Sequence, residues 1–454
     1  MTSSMSGRSS AGTAMTRRSF LGGTLGAIAP MIVPARALGR GGAVPPSERI
    51  TIGCIGVGGQ GQGNMRNFIA QPDAQIVALC DVERGAGTKG LMPALAAART
   101  QAEKAGRPLG EKDVATYHDF RELLAREDID AVSIATPDHW HGLICLAAAR
   151  AGKDIYCEKP LTNSIPEGRA VCEAVKRYGR VLQTGSHERS NDTCRFAWEL
   201  VNNGRIGRLR EVEVRLPTSE PHHERIRQAL GPFEPLTPPE SLDYDFWLGP
   251  APWRPYFPDA THFGWRFWLA TGGGEMTDRG AHVLDLVQFI TNHDNSGPVW
   301  LRASGRRGPS PIFDAFMDFE FEYRYSNGLR VYGRSEGDRG LKLIGTEGWI
   351  FIHIHGGRLE ADPPSLLRER ILPGERRTER SGGHHRNFLD AVRTRRRPIA
   401  DHEIGHRTAT ICHLLNASME LGRTIRWDPV AERIIGDAEA QRWIARPMRA
   451  PWRI

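Results

Sequence analysis

Ile50-Thr51-Ile52-Gly53-Cys54-Ile55-Gly56-Val57-Gly58-Gly59-Gln60-Gly61 decides the fold. An apolar strand-like run enters Gly56-x-Gly58-x-x-Gly61, and a helical stretch follows. Gly56 suits a tight turn, Gly58 lets the backbone approach a pyrophosphate, and Gly61 permits close packing of the helix. The free N–H groups of that helix start, with its partial positive charge, suit phosphate. Glycine turns are common, so the motif gains meaning from Asp81, which ends the next strand 20 residues after Gly61. A carboxylate there accepts from ribose hydroxyls and repels a 2′-phosphate, favouring NAD over NADP, with Arg84 weighing against that preference.

Working outward, further strand-like runs fall at 75–80, 131–136, 154–157 and 180–184, with a weaker one at 114–117. Helical stretches at 120–126, 141–151 and 167–178 lie between them. Near-continuous apolar strands alternating with helices predict a parallel sheet covered on both faces. Ligands of such sheets sit at the carboxyl ends of the strands. Two of those ends carry unusual residues: Thr136-Pro137-Asp138-His139-Trp140-His141 and Cys157-Glu158-Lys159-Pro160. Lys159, one of few lysines in the chain, falls where cofactor and substrate would meet.

From about residue 208 the pattern changes to period two. Met317, Phe319, Phe321, Tyr323 and Tyr325 alternate with Asp318, Glu320, Glu322 and Arg324, which predicts a half-buried strand. Ser326-Asn327-Gly328 then signals a hairpin into 329–335. With strands at 210–216, 299–305, 341–345 and 349–354, this predicts a second α/β domain with a mostly antiparallel open sheet, closed by a helix over 402–421. Within it, Gly272-Gly273-Gly274-Glu275-Met276-Thr277-Asp278-Arg279-Gly280-Ala281-His282 places Asp278 and His282 four apart. If it opens a helix they share a face, and a carboxylate beside an imidazole makes a general base. The same pair is also common as plain structure. His222-His223, His353-x-His355 and His384-His385 read as surface or packing histidines.

The 454 residues are 40% hydrophobic and 25% charged, which excludes global disorder, collagen and coiled coil. Residues 1–37 hold Arg8, Arg17, Arg18 and Arg36 and no acid. The Arg17-Arg18 pair, the apolar run 20–33 and Ala35-Arg36-Ala37 predict a twin-arginine signal peptide. Its removal would lower the formal charge from +7 to +3. No apolar run reaches the ~18–20 residues of a membrane span. The basic stretch 368–397 also carries Glu369, Glu375, Glu379 and Asp390 and lacks interleaved aromatics, so nucleic acid is not expected. Seven cysteines at 54, 80, 145, 157, 172, 194 and 412 show neither disulfide nor zinc spacing. His139 and His141 lack matching ligands, and no metal is expected. Buried thiols in an exported chain fit folding before export. The resulting division is signal 1–37, linker or arm 38–49, NAD-binding domain 50–186, substrate and oligomerisation domain 187–427 and tail 428–454.

Together, "GCIGVGGQGQG", "ATPDHWH", "CEKPL" and "GGGEMTDRGAH" resemble the glucose–fructose oxidoreductase/inositol dehydrogenase (Gfo/Idh/MocA) family. "TPDHWH", "WLGPAPWRPY" and "EIGHRTAT" are similar to its exported branch. The resemblance implies a Rossmann domain plus an α/β domain whose open sheet often mediates oligomers. It implies Lys159, Asp278 and His282 as a catalytic triad, with a cis bond between Lys159 and Pro160. Thr136, Pro137, His141 and Glu158 would line the cofactor beside Gly56, Gly58, Gly59, Gln60, Gly61 and Asp81. Arg189, Trp265 and Arg266 would face the substrate. The expected activity is exported, NAD(P)-dependent hydride transfer from a sugar, glycoside or cyclitol hydroxyl, with tightly held cofactor and a periplasmic location. Two alternatives stand beside it: a redox-neutral NAD-dependent glycosidase and a non-catalytic sugar-binding relative.

Overall fold

The structure, a computed structural model, describes residues 44–85, 87–219, 223–224, 226, 234–355 and 357–454. The signal-peptide reading and His222 lie outside the described residues. Within the segment that ends at Arg49, Pro46–Glu48 make a 3-10 turn and the Arg49 guanidinium donates to the Val44 carbonyl. Ile50–Ile454 form one compact unit.

Among the described residues, the first sheet holds β1 (Ile50–Ile55), β2 (Ala74–Cys80), β3 (Ala115–Tyr117), β4 (Ala131–Ile134), β5 (Asp154–Cys157) and β6 (Leu182–Thr184). All pair parallel, in the order β3-β2-β1-β4-β5-β6. β4 and β5 are buried along their whole length, as strands covered on both faces must be. The order reverses between β1 and β4, so a crevice opens where Gly56 and Thr136 leave the sheet.

The second sheet comprises β7 (Leu209–Arg215), β8 (Trp300–Arg307), β9 (Phe316–Arg324), β10 (Arg330–Arg334), β11 (Gly340–Gly345), β12 (Trp349–His353), β13 (Arg358–Asp362), β14 (Ile425–Asp428) and β15 (Arg433–Ile434). Its order is β13-β12-β11-β7-β10-β9-β8-β14-β15. Among the described residues, only the β7–β10 pairing of this sheet is parallel. The alternation read along 317–325 is realised: Met317, Phe319, Phe321, Tyr323 and Tyr325 are all buried. That face packs on the helices Asp192–Asn202, Gly280–Ile290 and His402–Leu421. Asp401 caps the last of these by accepting from the Glu403 and Ile404 N–H groups, and Gly422 ends it in the left-handed region.

The region read as a tail from 428 belongs to this fold. β14 and β15 extend the sheet, the helix Ala438–Trp443 follows, and Ile434, Ala440 and Ile444 enter the core. Further on, Trp452 stacks on Phe246 and meets Trp140 edge-on. All seven cysteines are buried free thiols. No helix among the described residues is long and apolar enough to cross a membrane.

Candidate active site

The crevice between β1 and β4 is shaped for a dinucleotide. Gly56 has φ +78°, and a Cβ there would sit 2.6 Å from the Thr136 nitrogen. At Gly61 a Cβ would lie 2.0 Å from the Gly56 carbonyl oxygen, so the helix Gly59–Ile69 could not approach the strand with any other residue. Gly58 and Gly59 face open space. Asp81 Oδ2 accepts the Val57 N–H (2.8 Å) and Oδ1 the Glu83 N–H (2.9 Å), which braces the glycine loop. Burial pushes its carboxyl up to about 6. The residues present therefore fit NAD: glycine loop and helix start for the pyrophosphate, Asp81 for the ribose.

This cleft, about 140 Å³, is lined by Gly56, Gly58, Gly59, Gln60, Asp81, Thr136 and Pro137 from the first domain. The second domain closes over it with Leu242, Phe246, Trp247, Trp265 and Arg266. Arg84 N–H to the Ser241 carbonyl and Asp243 N–H to the Val82 carbonyl fasten this cover to the end of β2. None of the cover except Trp265 and Arg266 was expected from the sequence.

A second cavity of about 320 Å³ adjoins the first through Gln60, Ala135, Thr136, Trp265 and Arg266. It brings together Lys159, Asp278 and His282 with Asp138, His141, Glu158, His187 and His355. The Lys159–Pro160 bond is cis. Lys159 Nζ donates to Asp278 Oδ1 (2.7 Å) and to the Asp278 carbonyl (3.0 Å). Asp278 Oδ2 also faces Arg266 Nε (3.3 Å) and Arg279 Nη1 (3.2 Å). Burial opposes ionisation of Asp278, but Lys159, Arg266 and Arg279 outweigh it and hold the carboxyl well below its ordinary range.

The expected Asp278–His282 partnership is therefore corrected. The helix begins only at Gly280, and Asp278 precedes it. Its carboxylate turns to the lysine, because a half-buried ammonium demands a counter-charge more strongly than a neutral imidazole does. His282 is 4% exposed, and its Nδ1 has no hydrogen-bond partner among the described residues. Burial, reinforced by nearby His187, Lys159 and His355, drives His282 well below the ordinary imidazole value. The ring is neutral and can accept a proton.

Three other residues hold the framework. His141 is buried between the carbonyls of Pro160 (Nδ1, 2.7 Å) and Thr136 (Nε2, 2.9 Å), so it ties two strand ends together. Glu158 Oε1 accepts from Gln60 (3.2 Å) and Asn64 (2.9 Å). Asp138, at the first position of the helix Asp138–Arg150, is pushed up to about 8 by burial despite Lys159 and Arg266, and is protonated at neutral pH.

Arg189 does not reach the cavity. It is 2% exposed and pairs with both oxygens of Asp285 (2.7 and 2.9 Å) and of Asp294 (3.0 and 2.7 Å). The buried Asp285, which cannot be left unpaired, and the partly exposed Asp294 claim it, so it serves packing rather than substrate. His355 moves the other way, from a surface reading to the cavity wall. Its ring centroid lies 5.1 Å from that of His282, and His187 lies 4.6 Å from His282. His187 was missed, although it follows the end of β6 as the other site residues follow β4 and β5. His384 packs as expected, bonded to the Thr184 carbonyl and Ser190.

A parallel nucleotide-binding sheet whose strand ends meet a lysine–aspartate pair and a neutral histidine is an arrangement suited to dinucleotide-dependent hydride transfer. The chain belongs to the Gfo/Idh/MocA family: residues 50–186 match its "NAD-binding Rossmann fold" and residues 200–454 its "C-terminal alpha/beta domain". It is similar to levoglucosan dehydrogenase of Pseudarthrobacter phenanthrenivorans, 32% identical over 263 residues, or 52% of this chain and 56% of that one. A 1,5-anhydro-D-fructose reductase of Ensifer adhaerens is 28% identical over 232 residues, 50% of this chain and 58% of that one. A glycosyl hydrolase family 109 protein of Saccharopolyspora erythraea is 32% identical over 178 residues, 36% and 37% of the two chains. The chain thus spans less than two thirds of the length of these curated relatives. Among solved structures, levoglucosan dehydrogenase in complex with NADH and levoglucosan aligns with TM-score 0.58 and 20% identity, covering 83% of this chain and 99% of that one. The WlbA dehydrogenase from Bordetella pertussis in complex with NADH and UDP-GlcNAcA gives 0.60 and 16%, covering 84% and 99%. At these identities the likeness establishes the shared fold.

Proposed function

We propose that this protein is an exported oxidoreductase that holds NAD tightly and oxidises a hydroxyl-bearing carbon of a sugar, glycoside or cyclitol. The observation that carries this reading is the placement of Lys159 and His282 on one cavity that opens into the dinucleotide cleft. When bound, the nicotinamide supplies the hydride acceptor. His282 takes the hydroxyl proton, being neutral and adjacent. Lys159 has three N–H donors, and Asp278 occupies two of them. The third is left for the substrate oxygen as negative charge develops there, which is transition-state stabilisation. Asp278 is a positioning residue that keeps the ammonium aimed and charged. Several relatives are named for acting on sugars, which supports a carbohydrate or polyol substrate.

The aromatic cover over the cleft supports slow cofactor exchange, and Arg17-Arg18 supports export with cofactor already loaded. Outside the cytoplasm the hydride must return within the cycle, to a second sugar or to the same one. The family 109 glycosidase relatives favour the second route as the alternative reading. The open face of the second sheet, where Arg330 pairs with Glu211 and Glu322, supports a homo-oligomer contact of polar character.

Product analysis on glycosides and free sugars, without added cofactor, tests the reading. We expect turnover with bound NAD unchanged after each cycle. Bond cleavage with no oxidised product selects the glycosidase; paired lactone or keto-sugar and polyol select the oxidoreductase. Release of one free NADH per turnover would overturn tight retention, and protein from the native host that releases no nucleotide on heating would do the same.

A further inference from the structure

The cavity that holds Lys159 is also lined by His187 and His355, which hydride transfer does not use and which share the neighbouring Glu188. His187 and Glu188 stand in the turn after β6, and His355 stands just beyond β12. Glu188 is buried, its side chain 3% exposed, while His187 and His355 are 43% and 37% exposed. His355 Nδ1 lies 3.2 Å from Glu188 Oε1 and His187 Nε2 3.5 Å from the same oxygen. All three donor atoms fall within 4.8 Å of one another. Two ligands of a tetrahedral zinc ion, each at about 2.0–2.2 Å, stand roughly 3.4 Å apart, so both measured pairs already have ligand spacing. Small rotations of the two exposed imidazoles would bring the third pair into range.

We propose that His187, Glu188 and His355 form a divalent transition-metal site on the substrate cavity. Two imidazoles and one carboxylate suit zinc, cobalt or manganese rather than magnesium or calcium, which prefer oxygen donors throughout. A second observation points the same way. His282, buried and with Nδ1 unpartnered among the described residues, presses its ring against both imidazoles. Two imidazoles on one buried carboxylate, with a third ring packed against both, is an arrangement that packing alone does not require. Three protein ligands leave coordination positions open towards the cavity, where a substrate oxygen could bind. The cation would then hold an oxygen of the substrate beside His282. The cation site rests on the geometry of the three ligands; its part in orienting substrate rests on the oxidoreductase reading.

The test uses the full chain, stripped with chelator and titrated with Co²⁺ and Zn²⁺, with NAD binding measured in the same samples. We expect one equivalent of metal per chain and, for Co²⁺, visible d–d absorption that Zn²⁺ displaces. His355→Ala and His187→Ala, both at exposed side chains, should weaken binding at least about 100-fold while NAD still binds. Glu188→Gln should do the same if its thermal midpoint stays near that of the wild type. Absence of binding tighter than millimolar in protein that still takes up NAD would overturn the site. So would stoichiometric binding that survives both histidine substitutions. Failure of NAD uptake alone would count against the oxidoreductase reading and leave the metal titration to decide this one.

Discussion

The two walls of the substrate cavity are built on opposite principles. On one, Lys159, Arg266 and Arg279 gather around the carboxylate of Asp278, each with a nitrogen within 3.3 Å of it. On the other, His187 and His355 share the single carboxylate of Glu188, and the His282 ring packs against both imidazoles. The first wall is preorganised: the ammonium is fixed by two bonds and needs no rearrangement to meet an alkoxide. The second is undersatisfied, with an imidazole nitrogen left bare in the interior. A buried polar atom without a partner costs roughly 1–3 kcal/mol, and such a cost marks a place where a ligand or substrate completes the structure. One wall concentrates positive charge on a single carboxylate, whereas the other gathers neutral and titratable imidazoles around a different one.

If that contrast is right, Lys159→Met should be the most damaging change to turnover. Removing a positioned proton-transfer group costs about 10²–10⁴-fold in kcat. NAD binding should survive, because the glycine loop and Asp81 hold it; a wild-type rate on the true substrate would refute the assignment. His282→Ala should fall in the same range. The double variant should lose little more than either single one, since the two groups act on one oxygen and its proton. Additive losses would mean that the walls work independently.

Arg189→Met sharpens the comparison from outside the cavity. It strands Asp285 and Asp294, and breaking such a buried pair costs about 3–5 kcal/mol of stability. Denaturant melts should show that loss, with kcat per folded molecule little changed. A variant that keeps its stability but loses substrate affinity would restore Arg189 to the substrate side.

The smallest effect concerns Asp138, which borders the ion-paired wall. Its carboxyl titrates near 4 in the unfolded chain and at about 8 when folded. Between those values the folded state binds the extra proton, so this group lowers stability as pH rises, by at most about 1.4 kcal/mol per unit. Asp138→Asn removes the term. The difference in melting temperature between variant and wild type should therefore grow in the variant's favour from pH 4.5 to 8. A difference independent of pH would show that Asp138 ionises normally.

The ion-paired wall was largely legible. Lys159, Glu158, Thr136 and Pro137 lie at strand ends, and strand ends can be found from apolar runs of four to six residues. Asp278 and His282 sit in one glycine-rich stretch. Their true relation was not legible, because a spacing of four shows a shared helix face only if the helix has begun, and it begins at Gly280. Arg189 shows the same limit: an arginine after a strand end looks identical whether it meets a substrate or the carboxylates of Asp285 and Asp294.

Local sequence by itself determined the alternating β–α order, the glycine loop, the acidic end of β2, the half-buried strand 316–324 and the family resemblance. These rest on periodicity and backbone conformation, which act over neighbouring residues. Tertiary structure alone decided which partner Asp278 takes, that Trp247 and Phe246 roof the cleft, that residues 425–434 complete the second sheet, and that His187 meets His355 across 168 positions of chain. Those pairings depend on how two sheets and their connecting segments pack. Competition for buried counter-charges settles them, and no local pattern records its outcome.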